Sequence, residues 1–127
     1  MGQIFLDIEI VGTRKSKTLL ALFDSGAYRN YLRSKNIFDN ETPDDIGFHT
    51  YEGTRESNLA DGRPVVVDWV RFKELHIPQI TIKDPLFLVM ENLNWDVIIG
   101  AELMQKEGIV LDPPNERIIV KPDSRLF

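Results

Sequence analysis

The sequence predicts an all-β fold, a closed or partly closed β-barrel with one short helix near the C-terminus. Three observations lead there. Apolar residues alternate or run in short blocks suited to strands, clusters of turn formers separate those blocks, and only residues 101–107 have the make-up of a helix stopped by a glycine.

The elements follow in order. Ile4, Leu6, Ile8 and Ile10 alternate with Phe5, Asp7 and Glu9, the period-two pattern of a half-buried strand. A polar, glycine-led turn covers residues 12–17. Residues 18–23 form a nearly continuous apolar run, which predicts a strand buried on both faces. A first hairpin is thus expected to deliver Asp24 to the end of a buried strand. Residues 28–38 fit either a short strand or a helical turn. Residues 39–57 are acidic and rich in turn formers, among them Asn40, Pro43 and Gly53, and are expected as a surface excursion.

Asp61-Gly62, set between Leu59 and the run Val65-Val66-Val67, is a two-residue hairpin signal. A strand is expected over residues 65–73, with shorter ones over 79–82 and 86–90. Residues 101–107 are good helix formers that stop at Gly108, a suitable C-cap. Ile109-Val110-Leu111 and Arg117-Ile118-Ile119-Val120 then flank Asp112-Pro113-Pro114-Asn115, so the chain closes on another hairpin.

A length of 127 residues suits one domain spanning 1–127, and 43% hydrophobic with 28% charged residues is a globular balance. The absence of cysteine excludes a disulfide framework and a thiolate metal site. A net charge of −5 with no basic stripe argues against a nucleic-acid partner. No charged leader precedes a long apolar run, no segment is long enough for a bilayer, and Leu6 stands where an N-myristoylation pattern wants Ser or Thr. A soluble cytoplasmic protein without membrane contact is the expectation.

Other chemistries find little support. His49 and His76 lack cysteine partners and HExxH spacing, so surface or structural histidines are expected rather than metal ligands. Trp69 and Trp95 are expected to pack or cap the core, and the acidic residues around Asp44 lack EF-hand spacing. No GxSxG elbow surrounds Ser25 and no phosphate-binding glycine loop is present.

Two segments carry chemistry together. The run Leu19-Leu20-Ala21-Leu22-Phe23 ends in Asp24-Ser25-Gly26-Ala27, and far downstream Trp95-Asp96-Val97-Ile98-Ile99-Gly100 leads into Ala101-Glu102-Leu103-Met104. In this order, with a hairpin signal between them, they resemble the retropepsin-like aspartic proteases. In that family the Asp-Ser/Thr-Gly-Ala turn carries the catalytic carboxylate and the apolar-apolar-Gly segment supports it from behind.

The resemblance implies that Asp24 is catalytic and that the Ser25 hydroxyl bonds across to a partner's backbone. It implies that Gly26 permits the tight turn, that Ala27 is the usual small residue, and that Val97, Ile98, Ile99 and Gly100 pack behind the loop. The single Asp-Ser-Gly turn implies a C2 homodimer with Asp24 of each subunit meeting across the axis. Ala60, Asp61, Gly62 and Arg63 would form the tip of a mobile flap over an extended peptide. Dimer contacts would use the terminal strands, especially residues 117–120.

Two departures stand out. Viral members often carry acidic residues just after the Asp turn and a basic one after the apolar-Gly segment, forming an ion pair that supports the dimer. Tyr28, Arg29 and Ala101 hold those places here, so that network is absent or rebuilt. Val67-Asp68-Trp69 also follows the flap where many relatives have a glycine. The expected function is an aspartic endopeptidase that acts on a peptide or protein substrate and needs no metal or organic cofactor. A catalytically silent dimerisation or peptide-binding module of the same fold is the second reading, and a ligand-binding β-barrel with a coincidental Asp-Ser-Gly the third.

Overall fold

The computed structural model describes residues 3–35, 37, 39–58 and 62–122. In chain order the first half holds β1 (Gln3–Val11), β2 (Ser16–Asp24), β3 (Tyr31–Arg33), a one-turn α1 (Pro43–Ile46), β4 (Thr50–Asn58) and β5 (Pro64–Arg71). The second half holds β6 (Glu74–Ile77), β7 (Ile80–Lys83), β8 (Leu86–Met90), β9 (Val97–Ile99), α2 (Ala101–Glu107), β10 (Ile109–Asp112) and β11 (Arg117–Val120).

The N-terminal alternation does what its period dictates. β1 sends Ile4, Ile8 and Ile10 inward and pairs antiparallel with β2 in an unbroken register, from Gln3 opposite Asp24 to Val11 opposite Ser16. Burial of β2 on both faces holds only at Ala21, Leu22 and Phe23, whereas Leu20 is 54% exposed. The difference lies in the neighbour, since β9 runs parallel to β2 at those three residues alone. β3 also pairs with β9, which makes the ambiguous segment a strand at its centre.

Nine strands join in the order β4-β5-β8-β3-β9-β2-β1-β6-β7, with β10 and β11 as a separate two-stranded ladder. The expected barrel is corrected here: the sheet is open, β4 and β7 are its edges, and no ladder joins them among the described residues. Closure depends on pairing between distant edge strands, and β4, largely exposed along its length, has no apolar face to line a barrel interior.

The expected surface excursion is corrected as well. Residues 43–46 form α1, and residues 50–58 form the nine-residue strand β4. α1 is tied at its start by Asp45, whose carboxylate accepts the Thr42 N–H at 2.8 Å and the Thr42 hydroxyl at 3.1 Å. Its end docks on the β1–β2 turn, where Thr13 N–H reaches Gly47 O at 2.7 Å. β4 owes its form to pairing with the valine-rich β5 rather than to a pattern of its own. Asn58 pairs with Pro64, so the connection runs over residues 59–63 and is longer than the two-residue turn that Asp61-Gly62 suggests.

The C-terminal expectations hold closely. α2 spans residues 101–107 and ends at Gly108, whose left-handed φ of 69° is what a glycine C-cap accommodates without strain. The hairpin β10–β11 follows, joined by a 3-10 turn at Pro113–Asn115.

The two faces of the sheet bury different clusters. One face packs Ile10, Phe23, Leu32, Phe72, Phe87 and Val97 with Leu103 and Met104 of α2 and Ile118 of β11 into the main core. The other carries a smaller cluster of Val67, Leu88 and Met90, with Tyr31 and Trp69 packed against it.

Candidate functional site

Asp24 is the last residue of β2, and the turn after it is built around its carboxylate. Gly26 N–H donates to Asp24 Oδ1 at 2.8 Å, and Ala27 N–H donates to the Asp24 carbonyl at 3.1 Å. A Cβ at Gly26 would stand 3.1 Å from Oδ1, a tight approach that a glycine avoids. The second carboxylate oxygen accepts from Gln3 Nε2 at 3.3 Å, across the register pair of β1 and β2. Sequence reasoning missed Gln3; a four-residue connection over 12–15 would have placed it opposite Asp24. Ser25 and Gly26 are exposed at the surface.

The downstream segment locks into the loop from behind. Val97 and Ile99 are fully buried in the main core, while the pleat turns Ile98 to the opposite face, where it is partly exposed. Gly100 sits where no side chain fits, because a Cβ there would stand 2.2 Å from Arg29 O. Its N–H donates to Asn30 Oδ1 at 3.0 Å. Ala101 N–H reaches Ala27 O at 2.7 Å and Glu102 N–H reaches Tyr28 O at 2.9 Å. The first turn of α2 therefore satisfies its free N–H groups on the carbonyls of the Asp24 loop.

An ion pair within the chain stands at this place. Arg29 Nη1 donates to Glu102 Oε1 at 2.8 Å, so the cation lies after the Asp turn and the carboxylate after the apolar-Gly segment. Neither residue was singled out as a pair from sequence, although the vacancy of the usual arrangement pointed to a rearrangement there.

Register defines a continuous row of side chains. Asp24 shares a strand face with Leu22, Leu22 is in register with Ile98, Ile98 with Tyr31, Tyr31 with Leu88, and Leu88 with Trp69. Residues in register present their side chains on one side of a sheet, so this row crosses five strands on the face away from the main core. Phe5, in register with Leu22, extends it on the other side and makes an edge contact with Trp95, ring centres 4.9 Å apart. Asp24 thus stands at the rim of an apolar strip whose members include exposed aromatic rings.

Of the expected flap residues, Ala60 and Asp61 lie outside the described residues. Gly62 has a φ of 86° and Arg63 precedes β5, both exposed. Beside Ser25 a hollow of about 410 Å³ opens, bordered by Ala101, Met104, Gln105, Ile109, Leu111 and Pro113. His49 contacts Asp84 at 2.8 Å, and His76 lies between Glu9 at 3.0 Å and Glu74 at 2.6 Å. Among the described residues no group of His and acidic side chains is arranged to hold a metal ion. No helix among them is long and apolar enough to cross a membrane.

No protein-family model matches the chain, and no curated protein matches it by sequence. Solved structures do. The chain is similar to the crystal structure of the retroviral protease-like domain of Ddi1 from Leishmania major, with a TM-score of 0.60 and 15% identity, over 95% of this chain and 90% of that one. It is likewise similar to a retropepsin-like aspartic protease from Rickettsia conorii, with a TM-score of 0.58 and 15% identity, over 94% of this chain and 82% of that one. The chain has the retropepsin-like fold.

Proposed function

We propose that this chain, a single domain of retropepsin-like fold, is an aspartic endopeptidase that works as a homodimer with one Asp24 from each subunit. The observation that carries this reading is the seat of Asp24: a carboxylate held at a strand end by the Gly26 N–H, on a loop pinned by Gly100 and α2, beside an apolar face. A scaffold has no chemical need for that carboxylate.

Two such carboxylates close together cannot both ionise cheaply, so the pair shares one proton. The ionised partner takes a proton from water as it attacks the peptide carbonyl, and the protonated partner donates to the carbonyl oxygen. Ser25 would bond across the twofold axis, Gly26 would keep its N–H on the carboxylate, and Ala27 would anchor the loop by accepting the Ala101 N–H of α2 on its carbonyl. Val97 and Ile99 would hold the loop against the core, Ile98 would meet the substrate side, and Gly100 would permit the close crossing. Ala60, Asp61, Gly62 and Arg63 would close over an extended peptide as an added strand. The hollow beside Ser25 supports the dimer by offering a seat for a partner's chain, with residues 117–120 contributing to the contact.

Cleavage mapping by mass spectrometry on a diverse peptide library, from acidic to neutral pH, tests the reading. Wild type is expected to cut and Asp24→Asn to be silent. Equal cutting by both exposes a contaminant, and a dimer that never cuts favours the silent binding module.

A further inference from the structure

We infer that Arg29, Arg55 and Trp69 form a subsite for an acidic side chain of the bound peptide, which makes acidic peptides the substrate class. This rests on the proposed protease reading and extends it to specificity.

The three residues come from the two parts of the chain between which a peptide would lie. Arg29 is on the loop that follows Asp24, and Arg55 and Trp69 are on the β4–β5 hairpin. The Arg29 guanidinium carbon lies 5.1 Å from the centre of the Trp69 ring, and that of Arg55 only 3.8 Å from it. Arg55 is in register with Val67 and Trp69 with Gly53, so Arg55 and Trp69 share a face of the hairpin as diagonal neighbours. One indole therefore gathers two cations in a protein whose net charge is −5.

The local carboxylates balance only one of them. Glu102 takes one contact from Arg29. Arg55 makes no ion pair among the described residues, and its guanidinium donates to the Glu52 carbonyl at a long 3.4 Å. Glu52 is engaged by Arg71 at 2.5 Å, and Asp68, which accepts from the Thr54 hydroxyl at 2.5 Å, lies on the other side of the pleat from Trp69. Glu56, next to Arg55, lies in register with Val66, on the other side of the pleat from Arg55 and Trp69. Arg55 is thus a cation with no ion pair among the described residues, set against the Trp69 ring.

Position ties this cation to the peptide path. Trp69 ends the row that contains Leu22, four strand spacings away or roughly 19 Å at about 4.8 Å per spacing, and Asp24 stands two residues along the strand from Leu22, so roughly 20 Å separate it from Trp69. An extended peptide covers that distance in about six residues at roughly 3.3 Å each. A peptide carboxylate within about six residues of the scissile bond can therefore reach the paired guanidinium groups, whose fork geometry suits it.

The test compares peptides that differ only by Glu or Gln, placed in turn at each of six positions on either side of a mapped cleavage site. Wild type is expected to prefer Glu by about tenfold in kcat/KM at one position, as a charge-assisted contact warrants. Arg55→Gln should bring that ratio close to one, and Arg55→Glu should turn the preference towards a Lys peptide. Cleavage with equal rates for Glu and Gln at every position overturns the subsite and leaves the protease reading standing. For a protein that does not cut, library peptides that differ only by Glu or Gln at one position are instead bound to Asp24→Asn and read by fluorescence anisotropy. Tighter binding of Glu peptides, lost in Asp24→Asn with Arg55→Gln, sustains the subsite while the protease reading falls; equal binding overturns it.

Discussion

The backbone N–H of Gly100 donates to Asn30 Oδ1 at 3.0 Å in a buried bond between positions 70 residues apart. The same side chain donates through Nδ2 to Leu86 O at 3.1 Å, and Asn30 is only 8% exposed. Asn30→Ala would strand a buried donor and a carbonyl together. A loss of about 2 kcal/mol is expected in urea unfolding, with activity falling as the loop after Asp24 loosens. An unchanged midpoint would contradict this account of how the loop is held.

Gly100→Ala places a methyl group 2.2 Å from a backbone oxygen, which no rotamer change relieves. Expected is a destabilisation of about 3 kcal/mol or more, read as a large fall in melting temperature or as insoluble expression.

Asp24→Asn is expected to lower kcat by about 10³-fold or more with the circular dichroism spectrum unchanged. Subunit mixing tests the shared site. With equal amounts of wild type and Asp24→Asn allowed to exchange, random pairing leaves about half of the wild-type chains in mixed dimers. Activity per wild-type chain should then drop to about half, whereas a self-sufficient monomer would show no change.

Glu74 gives a pH signature remote from Asp24. Hydrogen bonds from Lys83 and then His76 lower its pKa from 4.5 to about 2. The unfolded chain therefore binds the proton first as pH falls. Its contribution is complete above pH 4.5 and is lost as pH drops towards 2. Melting temperatures of wild type should fall more steeply across this range than those of Glu74→Gln; parallel curves would refute the assignment.

The ion pair of Arg29 and Glu102 is partly exposed on both sides, 33% and 43%. A double-mutant cycle with Arg29→Gln and Glu102→Gln should give a coupling of only about 0.5 kcal/mol. Coupling several times larger would show that the pair is shielded, as a second subunit packed over it would do.

Much of this was legible in the sequence, and the gaps have physical causes. β1, the end of β2, β8, α2 and its Gly108 cap follow from periodicity and local chemistry. β4 was not legible because an edge strand exposed on both faces, reading Tyr51-Glu52-Gly53-Thr54-Arg55, has no pattern to show. Strand order was equally hidden, since the pairing of β2 with β9 and of β3 with β8 joins distant segments. Motif spacing exposed Asp24 and Gly100, while Gln3, Asn30 and the Arg29–Glu102 pair emerge only from register and crossing.

The parallel pairing of Phe23 with Ile99 sets a schedule as well as a shape. On a ribosome at about 5–20 residues per second, Ile99 follows Phe23 by roughly 4–15 s. Through that interval the nascent chain carries its aspartate on a strand with no backing. The seat of Asp24 is among the last features to assemble, so on the proposed reading translation itself withholds proteolysis until nearly the whole domain has been made.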